Sequence, residues 1–219
     1  SMDEILLVLR AVARGSKQAL IVADMPFMSY QPSIEKAIQN AGTLIKNGAN
    51  AVKVEGGNSD TCDRVRALVD SGVPVVGHIG LMPQSINITS GYSVQGKTEK
   101  HAKTIIKEAR CLSDAGIFAL VLEGIPSDLA EIITGQLSVP TIGIGSGKGC
   151  DGQIQVFHDV LGLYSNFVPK HAKQYLNGFE QLSQGLRSYK DEVEAAIFPN
   201  NKHCIQLDKT VLKNISENN

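Results

Sequence analysis

Ala51-Val-Lys-Val-Glu55, closed by Gly56-Gly57, reads as one short β-strand. Alternation places Ala51, Lys53 and Glu55 on one face and Val52 and Val54 on the other, and the glycine pair ends the run. The same design recurs on both sides of it. Ala19-Leu-Ile-Val-Ala23 ends at Asp24, Pro74-Val-Val-Gly-His78 at its histidine, Phe118 to Leu122 at Glu123, and Pro140-Thr-Ile-Gly-Ile144 at Gly145. A weaker run, Gln153 to Val156, closes the series. Each of the first five runs leads into a helical stretch or a glycine-rich loop. Repeated strand–helix units with polar groups at the strand ends are the layout of a (β/α) barrel, whose site is built at the C-terminal ends of its strands. A complete barrel of this type has eight strands; six are counted here.

Between these runs, apolar residues spaced by three and four predict helices. Asp3 to Arg14 places Ile5, Leu9, Val12 and Ala13 on one face before Gly15. Pro32 to Lys46 carries Ile34, Ala37, Ile38, Ala41 and Ile45 before Gly48. Asn58 or Ser59 caps a helix bearing Val65, Leu68 and Val69, and Ser127 caps one bearing Leu129, Ile132 and Ile133. Glu99 to Ala115 is helical, and a mainly helical stretch runs from Val168 to about Ile197. The segment from Ile79 to about Gly96 is a long loop of the kind that forms lids or binding elements. The organisation expected is one barrel domain over 1–199 and a polar, loosely ordered tail over 200–219.

Composition removes several function classes. A net charge of −1 leaves no electrostatic footprint for nucleic acid or an anionic membrane. No apolar run approaches the roughly 20 residues of a membrane helix. Met2-Asp3-Glu4 is acidic where a signal peptide is basic. Cys62, Cys111, Cys150 and Cys204 form no C-x-x-C pair, so free thiols and a cytoplasmic address are expected.

The strand ends supply the candidate chemistry. Asp24 and Glu55 close successive strands, and two carboxylates at one crevice suit a hard dication such as magnesium, with water and substrate oxygens completing the shell. Lys53 shares a face with Glu55 and would anchor a substrate carboxylate. His78 can donate a hydrogen bond to an oxyanion. Glu123 follows five apolar residues, and partial burial there suits a general base. Each also has a plain structural reading: loop caps, an internal ion pair, a packed imidazole. Gly143-Ile-Gly-Ser-Gly-Lys-Gly-Cys-Asp-Gly152 fails the phosphate-loop pattern, because no Ser or Thr follows Lys148.

Six blocks in order carry a resemblance. Ala23-Asp-Met-Pro-Phe-Met-Ser-Tyr30, Val52-Lys-Val-Glu-Gly-Gly57, Gly77-His-Ile-Gly-Leu-Met-Pro-Gln84, Gly91-Tyr-Ser-Val-Gln-Gly96, Leu120-Val-Leu-Glu123, and Ile142-Gly-Ile-Gly145 through Asp151-Gly-Gln153 resemble ketopantoate hydroxymethyltransferase. The resemblance implies a (β/α)8 TIM barrel of the phosphoenolpyruvate/pyruvate-binding type. It implies hydroxymethyl transfer from 5,10-methylenetetrahydrofolate to 3-methyl-2-oxobutanoate, and a homo-oligomer, commonly a decamer. By matched position, Asp24 and Glu55 would bind Mg2+, Asp24, Lys53 and His78 would contact the oxo acid, and Glu123 would accept the proton. The family also carries a strand–helix–strand before the position of Asp3, ending in a Gly-Asp-Ser that this sequence lacks. The expectation is therefore a barrel without its first two strands. Competing readings are another magnesium-dependent oxo-acid lyase or mutase of the same superfamily, and a non-catalytic homologue that acts only in assembly.

Overall fold

Parallel neighbours cannot be joined by hairpins, so a chain whose strands follow one another in a parallel sheet must return through crossover helices. The computed structural model, which describes residues 1–85, 94–164 and 166–216, has this layout. Six strands form one parallel sheet in sequence order: β1 (Val22–Asp24), β2 (Ala51–Glu55), β3 (Val75–Gly80), β4 (Ala119–Glu123), β5 (Thr141–Ile144) and β6 (Gly152–Gln153). The sheet curls as part of a barrel wall. Helix α1 (Met2–Gly15) precedes β1, and α2 (Ile34–Lys46), α3 (Ser59–Asp70), α4 (Glu99–Asp114) and α5 (Ser127–Gln136) make the first four crossovers, whereas β5 and β6 are joined by the loop 145–151. A 3-10 turn, Pro83–Ser85, follows β3. Three further helices come after the sheet: α6 (Phe157–Leu161), α7 (Gly178–Glu194) and α8 (Lys209–Ser216). By compactness the chain forms two units, Ser1–Gln155 and Val156–Asn219.

Register decides which side chains share a face. Asp24 pairs with Lys53 and Lys53 with Val76; Glu55 pairs with His78 and His78 with Val121; Gly80 pairs with Glu123. Paired residues in a parallel ladder point the same way, so the charged ends of β1 to β4 lie on one face. The opposite face presents Ala23, Val52, Val54, Val75, Ile79, Leu120 and Leu122 to the helices. There they meet Ala37, Ala41 and Leu44 of α2, Val65 and Leu68 of α3, and Ile105 and Leu112 of α4 in the main core. Each large apolar side chain fully buried here contributes about 1.5–3 kcal/mol. The charged face carries only a small cluster, Val76, Ala119, Val121 and Ile144, which floors the strand ends.

Several sequence expectations need correction. Of the run ending at Asp24, only Val22–Asp24 is strand, and Leu20 and Val22 are 59% and 38% exposed rather than buried. Among the described strands β1 pairs with β2 alone, so one of its edges is uncovered. β6 is Gly152–Gln153, not Gln153–Val156, because Val156 already occupies the cap position of α6. The long helix starts at Gly178, where the Asn177 side chain accepts from Glu180 N, and not at Val168. Residues 209–216 of the polar stretch are helical. Asn58 caps α3, its Oδ1 accepting from Thr61 N at 2.9 Å, whereas α5 is preceded by Pro126 with Ser127 already inside the helix. The thiols are not all free: Cys62 of α3 and Cys111 of α4 form a disulfide, with Cα atoms 6.2 Å apart. Packing of neighbouring helices makes that pair, and a separation of 49 residues gives no motif. Cys150 and Cys204 are free.

Candidate active site

Three strand-end side chains, Asp24, Glu55 and His78, converge on one ammonium. Lys53 Nζ lies 3.0 Å from Asp24 Oδ1, 3.7 Å from Glu55 Oε1 and 3.2 Å from His78 Nδ1. His78 Nδ1 is also 3.7 Å from Glu55 Oε1, and on its far side Nε2 stands 3.2 Å from Glu123 Oε2. The five residues expected to share a pocket therefore form a continuous chain from β1 to β4: Asp24, Lys53, Glu55, His78 and Glu123.

The chain of contacts fixes the imidazole tautomer. An ammonium has no lone pair, so the nitrogen facing it must accept. Nδ1 thus carries no proton, and the ring proton sits on Nε2, toward Glu123. Nε2 is buried and makes no aligned hydrogen bond among the described residues, although Glu123 Oε2 is 3.2 Å away. Asp24 Oδ1 is likewise buried without an aligned donor, although Lys53 is 3.0 Å away. The Asp24 side chain as a whole is 40% exposed, which leaves its other oxygen open to the crevice.

Glu55 is nearly fully buried and is held from two directions. Its backbone carbonyl accepts from the Tyr30 hydroxyl at 3.1 Å, and its N–H donates to the same hydroxyl at 3.2 Å. Burial pushes the Tyr30 phenol up to about 12, so it stays protonated for this double role. The Glu55 carboxylate accepts from Gln84 N at 3.2 Å. Burial raises its pKa above the usual carboxylate value; the charge of Lys53, the His78 ring whenever it is protonated, and the Gln84 N–H oppose that rise, and the nearby Asp24 adds to it.

Two neighbouring features are structural. The glycines of Gly77-His-Ile-Gly80 admit protein and not ligand. A side chain at Gly77 would press on Leu112, Leu120 and Ile117, and one at Gly80 would strike the Glu123 carbonyl. In the Gly145-to-Gly152 loop, Ser146 is buried, donates to Leu122 O at 2.8 Å and accepts from Ile125 N, tying the end of β4 around Glu123. Asp151 Oδ2 accepts from Thr141 N at 2.8 Å and holds the start of β5. Sequence reasoning missed Tyr30, Gln84 and Ser146. Tyr30 and Gln84 stand at the ends of quoted blocks that begin on a strand, which was the available signal. Of the long loop, residues 86–93, which include the first half of the Gly91-Tyr-Ser-Val-Gln-Gly96 block, lie outside the described residues; Gln95 N donates to Gly124 O at 2.8 Å and Gly96 N to His101 Nδ1 at 3.2 Å.

Among the described residues no group of three or more His, Cys, Asp and Glu side chains is arranged as a metal cage, and no helix is long and apolar enough to cross a membrane.

Comparison with solved structures places the fold. Phosphonopyruvate hydrolase, solved with oxalate and Mg++, superposes with a TM-score of 0.54 at 10% identity, covering 100% of this chain and 76% of that one. 2,3-Dimethylmalate lyase, a PEP mutase/isocitrate lyase superfamily member, gives 0.50 at 15% identity, covering 95% and 70%. At such identities the likeness shows the α/β barrel fold alone. Sequence relatives are much nearer. The 3-methyl-2-oxobutanoate hydroxymethyltransferase of Clostridium beijerinckii is 52% identical over 216 residues, 98% of this chain and 78% of that enzyme. The enzyme of the same name from Thermosipho melanesiensis is 51% identical over 209 residues, covering 95% and 79%. The model of one family, ketopantoate hydroxymethyltransferase, matches residues 1–201, the stretch that contains every strand and all five converging side chains; the chain belongs to that family.

Proposed function

We propose that this chain transfers a hydroxymethyl group from 5,10-methylenetetrahydrofolate to 3-methyl-2-oxobutanoate, giving ketopantoate for pantothenate and coenzyme A biosynthesis. The observation that carries the reading is the unbroken line of contacts from Asp24 through Lys53, Glu55 and His78 to Glu123, in a chain about half identical to enzymes of that name.

The donor set fits magnesium. Asp24 and Glu55 are two hard carboxylates drawn to one ammonium, and Asp24 Oδ1 is buried without an aligned donor. Mg2+ is usually held by one or two carboxylates, with water and substrate filling the rest of its shell. When bound, the ion supplies Lewis acidity to the carboxylate and carbonyl oxygens of an oxo acid. The remaining work falls to side chains. Lys53 balances the substrate carboxylate. Glu123 takes the C3 proton, and the electron pair of that bond moves into the enolate. The His78 Nε2 proton faces the charge that develops. The enolate carbon then bonds to the one-carbon unit released from the folate at the formaldehyde level, with water supplying the hydroxyl oxygen. No protein nucleophile is needed.

Exchange of the C3 hydrogen of 3-methyl-2-oxobutanoate for deuterium, followed by NMR in the presence of Mg2+, tests the base. Glu123→Gln is expected to slow exchange by about 10²-fold or more; an unchanged rate would remove Glu123 from that role. A rival reading as a lyase or mutase would show carbon–carbon cleavage of a larger oxo acid instead.

The same proposal includes a cytoplasmic homo-oligomer. Its support is the exposed apolar side chains of α1 (Leu7, Val8) and α7 (Leu182, Leu186, Tyr189). Light scattering should give a mass several times 23.5 kDa, and a monomer would contradict it. The bounds 1–199 and 200–219 are likewise proposed; a first protease cut near 200 supports them, and one near 155 supports the division by compactness.

A further inference from the structure

Gln84 joins the two carboxylate-bearing strand ends. Its backbone N–H donates to Glu55 Oε2 at 3.2 Å, and its side-chain Nε2 donates at 3.0 Å to the carbonyl of Met25, the residue after Asp24. The second bond fixes the orientation of the amide, since only its NH2 side can donate to a carbonyl. Oε1 is left as a pure acceptor, buried and without a hydrogen-bond partner among the described residues. A buried acceptor in that state bears its full desolvation cost, so such groups point to an unseen donor.

The division of labour with Lys53 is informative. Lys53 attracts Asp24 Oδ1 and Glu55 Oε1, oxygens for which an arriving cation competes. Gln84 holds Glu55 Oε2 and a main-chain carbonyl, which lie outside that competition. Its grip on both strand ends therefore persists when the ammonium is displaced.

We propose that Gln84 is a positioning residue for the divalent cation. It sets the spacing between the Asp24 and Glu55 ligands and offers Oε1 to a water of the cation's shell. The inference rests on the reading that Asp24 and Glu55 hold a dication. Groups that orient metal ligands typically change metal affinity 10–100-fold when removed.

Titration of the metal-free chain with Mn2+, read by the EPR signal of the free ion, tests this without reference to turnover. Gln84→Leu keeps the volume and the backbone bond to Glu55 but loses both amide functions, and should weaken the Mn2+ Kd about tenfold. Gln84→Glu keeps an acceptor but loses the donor to the Met25 carbonyl, so it should recover only part of the affinity lost in Gln84→Leu. A Kd for Gln84→Leu within twofold of wild type, or Gln84→Glu as weak as Gln84→Leu, would overturn the assignment. If Gln84→Leu does not fold, Gln84→Glu decides alone, and a Kd more than about tenfold weaker than wild type, which would mean the retained acceptor is worth nothing to the cation, refutes it. Loss of Mn2+ binding in Asp24→Asn, with Gln84→Leu unchanged, sinks this inference and leaves the cation site standing. A wild-type chain that binds no Mn2+ overturns both.

Discussion

Tyr30 holds Glu55 by its main chain, one hydroxyl serving both the carbonyl and the N–H. Tyr30→Phe leaves both backbone groups without that partner at a buried site, which should cost about 1–3 kcal/mol. In a chain of this size the thermal midpoint then falls by about 2–4 °C for each kcal/mol; an unchanged midpoint would show that the hydroxyl bears no load. The effect should also reach Mn2+ affinity, because Glu55 would lose one of its two restraints. Asp24, Lys53, Glu55, His78 and Glu123 were legible at this scale because each interrupts or ends an apolar run, and such an interruption is visible in one dimension. Tyr30, Gln84 and Ser146 were not. Each lies beyond a strand end and reaches its partner through a contact 21 to 29 positions away in sequence.

At the scale of elements, β3 and β4 meet most tightly at Gly80. A Cβ there would sit 2.2 Å from the Glu123 carbonyl oxygen and 2.9 Å from Ile125 Cγ2, and the backbone φ is +99°. Gly80→Ala must therefore part the two strand ends and strain its own backbone, at a cost of about 3 kcal/mol. Because Leu81 N donates to that same carbonyl at 2.8 Å, the disturbance should move Glu123 as well. Urea unfolding and C3 exchange are expected to fall together; full exchange in a folded Gly80→Ala chain would show that β4 tolerates the shift. Helices α2, α3 and α4 were readable from the sequence as helical stretches; of their caps, Ser33, Asn58 and Thr98, only Asn58 was among those expected. The stretch after Val168 was misread because apolar spacing alone does not start a helix. Its cap comes only at Asn177.

For the whole molecule, the order of the sheet followed from the alternation of strand and helix, and parallel register then brought every charged strand end to one face. The division of the chain at Gln155 was not legible, since no composition change marks it. Nor was the Cys62–Cys111 pair, which only the packing of α3 beside α4 creates. What the assembled face does show is a deficit of charge. With the imidazole neutral, Asp24, Glu55 and Glu123 bring three negative charges and Lys53 brings one positive, so the pocket lacks two units of positive charge. Electroneutrality in a partly buried space then favours one small dication over two monovalent ions, which the crevice would have to seat separately. Under the proposed function, Lys53 would be the provisional occupant, keeping mutually repelling acids together until such an ion arrived and then turning its own charge toward the incoming acid.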